Sequence, residues 1–297
     1  MVCPWKAPRE SLGVKMRNAM TVDLEDWYHS IQSIPVQEWD RCESRLEEQT
    51  SKILKLFEQF HVKATFFVLG HVAEKHPRLV KEIHAMGHEV ATHGYFHRLV
   101  YHQTPVAFRA DLRNSIRVIE DVTGEKVLGY RAPYWTITKE SYWALDILFE
   151  EGIRYDSSIY PVKTYLYGIP DAPIYPYIIK EHNGNKLIEF PPSTLSLYGT
   201  RIPIGGGFYM RALPLWVIHW GIHKINKKGQ PAIIYIHPPE FDADKPVVKL
   251  PFKEKILHYY NLGVVEEKLK LLLSEFEFDS LRKLHETVSF LGPAIPV

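Results

Sequence analysis

The chain has 297 residues, with 36 Lys+Arg against 35 Asp+Glu and a formal net charge of +1, a balance that supplies no basic field for nucleic acid or an anionic membrane. Its two cysteines, Cys3 and Cys42, exclude a disulfide framework and a cysteine zinc cluster. At 45% hydrophobic and 24% charged residues, the composition is that of a globular protein able to bury its own core.

Residues 1–17 read as a polar N-terminal arm, and the opening MVCPWKAPRESLGVKMRN lacks the apolar core of a signal peptide. No apolar run reaches the length of a membrane span. The expected location is therefore cytoplasmic, with peripheral membrane association left open. NAMTVDL (18–24) reads as a buried strand that stops at acidic residues. SRLEEQTSKILKLFEQF (44–60) carries apolar residues at near-helical spacing, and VKATFFVLG (62–70) is strand-like. Pro77 and Gly87 bracket the helix PRLVKEIHAM. HEVAT (88–92) is the next strand, 105–124 a helix opened by Pro and closed by Gly, and VLGYRA (127–132) another strand. TKESYWALDILFEEG (138–152) predicts a helix capped by Thr138, followed by the strand IRYDSS. Residues 160–185, rich in Pro, Tyr and Gly, read as an irregular excursion. KLIEF (186–190) is a strand, LPLWVIHWGIHKIN (213–226) a helix, and PAIIYIH (231–237) an almost wholly apolar strand. Two helices are expected near 263–275 and 279–289, the second capped by Asp279 or Ser280.

Strands alternating with helices imply parallel βα units. About seven such units predict a distorted, TIM-like (β/α) barrel over 18–252, with a C-terminal helical extension over 253–297 packed on it. Asp23, His93, Arg131, Asp156 and His237 each fall at the C-terminal end of a predicted strand. In such a barrel those ends converge on one mouth. The long excursion and GGGFYMR (205–211) are expected to form one rim of it. There Tyr160, Tyr165, Tyr167, Tyr175 and Tyr177 offer flat faces for sugar rings. The glycine run by itself reads as a phosphate cradle, a close approach to a sugar, or a tight turn.

THGYFH raises the chemical question. His93 and His97 sit four apart, and among 15 histidines such a pair arises by chance, so its company decides. Metal-assisted hydrolysis of an amide needs N/O ligands that leave an open position. It needs a carboxylate to take the water's proton, donors for the oxyanion, and an acid for the departing amine. VDLED, THGYFH, YRAPYW and YIHPPE supply each kind of part.

These four motifs, in this order, resemble those of the polysaccharide deacetylases, the NodB-homology group or carbohydrate esterase family 4, from about residue 18 to about residue 240. TVDLED resembles the first motif, HGYFH the metal motif, RAPYW the wall of the site, and IHPPEFD the final motif. YDSSIYP and GGGFYMR further resemble a subgroup linked to bacterial exopolysaccharide gene clusters. The resemblance implies a metal-dependent N-deacetylase that releases acetate from N-acetylated sugars in a polysaccharide or a lipid-linked glycan. It implies Asp23 as base, His93 and His97 as metal ligands, Pro133 and Tyr134 at the substrate and oxyanion, and His237 as acid. Arg131 then fixes a carboxylate, Asp23 foremost, and keeps it ionised. Asp156 is the nearest match to a fourth motif. The ion is a divalent metal, Zn²⁺ first, with Co²⁺ or Ni²⁺ also suited to N/O ligands. Where the family has two adjacent aspartates, this chain has Asp23, Glu25 and Asp26, so the metal carboxylate is Glu25 or Asp26. Alternation puts Glu25 on the face of Asp23, while a bulge would bring in Asp26, whose shorter side chain suits a tight site slightly better. Rival readings are a hydrolase of another C–N bond, allantoinase-like or deformylase-like, and a glycan-binding module without catalysis.

Overall fold

The computed structural model describes residues 16–164 and 166–287. Strand β1 (Arg17–Leu24) is followed by α1 (Leu46–Gln59), β2 (Thr65–Val68), α2 (Gly70–Lys75), α3 (Pro77–Ala85) and β3 (Glu89–Thr92). Next come α4 (Pro105–Thr123), β4 (Gly129–Tyr130), α5 (Trp143–Glu150) and β5 (Tyr155–Asp156). The excursion ends in a hairpin, β6 (Tyr177–His182) and β7 (Asn185–Glu189), and a second hairpin follows, β8 (Thr194–Leu197) and β9 (Thr200–Pro203). The chain continues through α6 (Phe208–Ala212), α7 (Leu215–Asn226), β10 (Ile233–Ile236), α8 (Phe252–Tyr259), α9 (Val265–Glu275), β11 (Glu277–Asp279) and α10 (Leu281–Thr287). Among the described residues, no helix is long and apolar enough to cross a membrane.

The sheet runs β10-β1-β2-β3-β4-β5-β7-β6. Its seven strands from β10 to β7 are mutually parallel, and β6 alone runs antiparallel, against β7. The ring closes through irregular chain: Ser193 N donates to Ile233 O at 3.1 Å, and Tyr235 N donates to Gly205 O at 2.8 Å. This is the distorted (β/α) barrel that the alternation predicts. Strands covered by helices outside and by one another inside are buried on both faces, as β1 is over all but its first residue.

Local chemistry sets the boundaries. Pro77 opens α3. Thr104 Oγ1 accepts from Ala107 N at 3.2 Å to open α4, and Gly124 closes it at φ 74°. The helix expected over 138–152 is broken, because Ser141 Oγ accepts from Thr138 N at 2.9 Å and holds a short 3-10 turn ahead of α5. The excursion is less irregular than its composition suggests. Asn183 and Gly184 adopt φ 49° and 76°, the conformation of a tight two-residue hairpin, and join β6 to β7.

The C-terminal elements plug the barrel's lower end. β11 pairs with the start of β1, and Leu281 and Leu284 of α10 pack against Ala19, Phe67, Ala91 and Tyr155 inside the barrel. Leu281 N donates to Thr65 Oγ1 at 2.7 Å, and Arg282 N donates to Glu89 Oε2 at 2.9 Å. With that end filled, the opposite end, where the strands finish, is left for the polar residues.

Candidate active site

Asp23 ends β1, His93 follows β3, Arg131 follows β4 and His237 follows β10, so four strand ends bring these side chains together. Arg131 is fully buried. Its Nη1 donates to Asp23 Oδ1 at 2.6 Å and to Thr21 Oγ1 at 2.9 Å, while Nε and Nη2 donate to Ser157 O at 3.2 Å and Ser157 Oγ at 2.9 Å. Burial alone would raise the Asp23 pKa, but Arg131, His93 and His237 override it and hold the carboxyl well below its ordinary range.

The other oxygen of Asp23 lies 3.6 Å from His237 Nε2. The far side of that ring is fixed: Glu240 Oε2 accepts from His237 N at 3.0 Å and sits 3.1 Å from Nδ1. Arg211 Nε in turn donates to Glu240 Oε1 at 3.0 Å. Burial alone would lower the His237 pKa, but the hydrogen bonds to Asp23 and Glu240 raise it to about 10. The result is an ionised carboxylate beside a protonated imidazole. Glu240 and Arg211 as the holders of His237 are the part that motif reading missed, although both residues lie inside quoted motifs.

Glu25, His93 and His97 bring one ligand atom each within 4.8 Å of one another. His93 Nδ1 donates to Arg131 O at 2.8 Å, which leaves the lone pair on Nε2. Burial pushes His93 down to about 4, so the ring is neutral, as a metal ligand must be. His97 Nε2 lies 2.9 Å from Glu25 Oε2. Burial alone would raise Glu25, but His97 overrides it and holds the carboxyl at about 2. The donor set of two imidazoles and one carboxylate fits a divalent ion with open positions. Asp26 does not join it. Its Oδ2 accepts from Ser44 Oγ at 2.6 Å and from Arg45 N at 3.0 Å, and its Oδ1 accepts from Trp27 N at 2.8 Å. That carboxylate is spent on the start of α1, so alternation along β1 prevails over the bulge.

Asp156 is also elsewhere. It is fully buried, accepts a hydrogen bond from Ser158 Oγ and shares another with the Glu189 carboxyl, and burial raises both carboxyls. It does not line the cavity into which Asp23 and His237 open. The serines after it serve the site instead, since Ser157 anchors Arg131 and Ser158 Oγ accepts from Ala132 N at 2.8 Å.

The cavity above these residues has a volume of about 500 Å³. Tyr134 lies on its wall in the left-handed region, with φ 52° and ψ 27°, next to the buried Pro133. Its ring is 4.8 Å from that of His97, and its hydroxyl donates to Ser30 O. Lys163, Thr164 and Tyr167 line one rim, together with Phe208 and Tyr209 beyond the glycine run. Of the other tyrosines expected there, Tyr160 is fully buried and stacks beneath Tyr167. Tyr177 is buried in β6, Tyr175 packs on the core, and Tyr165 lies outside the described residues. Within the glycine run, Gly207 lines the cavity and Gly206 packs on the barrel wall. A Cβ on Gly206 would meet Tyr235 O at 1.7 Å, so the glycine is there for close packing at the barrel seam.

Fold and site together define a (β/α) barrel with a His/His/carboxylate donor set beside an arginine-held aspartate and a glutamate-held histidine. Residues 36–148 match the family model described as polysaccharide deacetylase, and residues 157–286 match the domain of unknown function DUF3473. Over residues 36–148 the chain is thus similar to the polysaccharide deacetylases. His93, His97, Arg131, Pro133 and Tyr134 fall in the first match and His237 in the second, while Asp23 and Glu25 precede both. The chain is 35% identical over 113 residues to a peptidoglycan deacetylase from Helicobacter pylori, covering 36% of each protein. It is 30% identical over 122 residues to a peptidoglycan-N-acetylglucosamine deacetylase from Bacillus cereus, covering 37% of this chain and 44% of that one. The chain thus spans well under two thirds of the curated relatives it matches. A crystal structure of a candidate polysaccharide deacetylase from Mycobacterium smegmatis superposes with a TM-score of 0.68 at 18% identity, covering 100% of this chain and 99% of that chain. The PuuE allantoinase superposes with a TM-score of 0.58 at 16% identity, covering 91% of this chain and 88% of that chain. At those identities the likeness is one of fold.

Proposed function

We propose that this chain is a divalent-metal-dependent N-deacetylase that hydrolyses the acetamide of an N-acetylated sugar in a polysaccharide or lipid-linked glycan. The observation that carries this reading is the opposition of Asp23 and His237 across 3.6 Å, each held from behind, beside the Glu25–His93–His97 donor set. Asp23 accepts the proton of the attacking water. His237 delivers a proton to the sugar nitrogen as the C–N bond breaks, so the amine and acetate leave in balance. The backbone N–H of Tyr134, on the cavity wall, is the donor assigned to the developing oxyanion, with Pro133 beside it supporting the wall against the sugar. Glu25, His93 and His97 would hold the ion. A divalent cation there supplies the Lewis acid that polarises the acetamide carbonyl, and the N/O ligands favour Zn²⁺ while accepting Co²⁺ or Ni²⁺.

Product analysis by mass spectrometry tests this reading. The protein is incubated with N-acetylated oligosaccharides, peptidoglycan fragments and lipid-linked N-acetylated sugars. Replacement of acetyl by hydrogen, with acetate released, is the expected result. Ring opening of a cyclic ureide or removal of a formyl group, with no acetate from any glycan, would move the chain to another amide. Glycan binding without turnover in the metal-loaded protein would make it a binding module.

A further inference from the structure

Lys245 opens onto the same cavity as Asp23 and His237, yet it belongs to neither the hydrolytic pair nor the metal donor set. It is only 8% exposed. Among the described residues, its side chain makes no hydrogen bond within 3.5 Å and no ion pair within 4.0 Å. Its ammonium lies 5.1 Å from the centroid of the Tyr259 ring. A buried cation without a counter-ion is costly, and most such lysines are paired. The nearby carboxylates are engaged elsewhere. Glu240 is held by Arg211 and His237, and Asp242 Oδ2 lies 2.6 Å from Arg45 Nε. Burial pushes Lys245 down to about 8 and the charge of Arg211 adds to that, while Glu240, Glu25 and Asp242 offset it only in part, Glu25 being itself 2.9 Å from His97 Nε2. His258 of α8 lines the same stretch of wall.

We propose that Lys245 is a specificity residue that pairs with an anionic group, a carboxylate or a phosphate, on the glycan beside the reacting acetamide. This rests on the deacetylase reading and adds the substrate class: acidic N-acetylated glycans over neutral ones. The placement suits the role, because the residue is within the cavity and outside the reacting groups. Glu254 also lines the cavity without an ion pair to Lys245, and it is the internal rival for this ammonium.

The test compares three forms of one N-acetylated oligosaccharide: one with a free uronate next to the acetylated sugar, one with that uronate as its methyl ester, and one with a phosphate in its place. The metal-loaded wild type and its Lys245→Met, Lys245→Arg and Glu254→Gln variants are assayed side by side. Wild type should favour an anionic form, and the preferred anion distinguishes uronate from phosphate. Lys245→Met should lower kcat/KM about ten- to hundred-fold on that form and leave the ester within about threefold, since a charge-assisted hydrogen bond is lost only there. Lys245→Arg should keep most of the preference. Equal losses on charged and neutral forms, or no wild-type preference, would overturn the proposal, as would Glu254→Gln matching Lys245→Met on every substrate. If no acetamide is turned over, the deacetylase reading has failed separately. Calorimetric binding of glucuronate and inorganic phosphate then decides: binding lost in Lys245→Met supports the subsite, and binding unchanged or never present removes it.

Discussion

The guanidinium of Arg131 holds Asp23 at 2.6 Å from a fully buried position, with the Phe67 ring 4.2 Å from its centre. Four hydrogen bonds and a ring face fix the planar group, so it sets both the charge and the aim of the carboxylate. Arg131→Lys keeps the charge and loses the fork that reaches Ser157 and Asp23 at once. Turnover should fall about 10²-fold, the loss that misplacement by an ångström produces, while metal content stays at the wild-type level. Steady-state rates with elemental analysis check this. Near-normal turnover in the lysine variant would remove the positioning role.

The barrel and its mouth were legible because strands of period two and helices of period 3.6 alternate, and because the polar residues stand at strand ends. His93, Arg131 and His237 were readable on those grounds, and His97 by its spacing of four from His93 within a motif. The choice between Glu25 and Asp26 was not. It turns on whether Ser44 and the start of α1 claim Asp26, a contact made across 18 residues of sequence. Asp156 misled for a related reason. It ends a strand like the others, but it faces Glu189, and nothing local in YDSS reveals that partner. The grip of Arg211 on Glu240 spans 29 residues, and no periodicity reports it.

Gly206 is the seam of the barrel. A methyl group there would overlap Tyr235 O, and that backbone cannot yield without opening the contact that closes the ring. Gly206→Ala should cost about 3 kcal/mol or more, at the upper end of overpacking effects. Denaturant unfolding of the variant beside wild type gives the number. A loss under about 1 kcal/mol would show that the seam adjusts freely.

His237 makes stability depend on pH in a definite direction. Its folded pKa is raised from 6.5 to about 10, so the native state binds the proton more tightly than the unfolded chain does. The stabilisation is complete below about pH 6.5 and is lost as pH rises through about 10. In the chelated protein, the gap in thermal stability between wild type and His237→Ala should therefore shrink from pH 6.5 to pH 10. Glu240→Gln removes one of the partners that raise it and should move that loss to lower pH. A gap that widens with pH would reverse the assignment of the charge.

The last prediction separates the residues that would hold an ion from those that would move protons. Glu25, His93 and His97 converge within 4.8 Å, while Asp26 is bound to Ser44 and Arg45. Glu25→Ala, His93→Ala and His97→Ala should each lose bound metal and activity together. Asp26→Ala should retain the metal and lose stability instead, because it strips three hydrogen bonds from the approach to α1. Asp23→Asn and His237→Ala should keep the metal and lose turnover by about 10²–10⁴-fold, the usual loss on removing a general base or acid. Chelation should abolish wild-type activity, and added Zn²⁺ should restore it in wild type but not in the three ligand variants. Metal per chain and rate, measured for all six variants, discriminate these classes. Full metal occupancy in both His93→Ala and His97→Ala would mean that the two imidazoles serve the fold, and that the proton-transfer pair works without the ion proposed beside it.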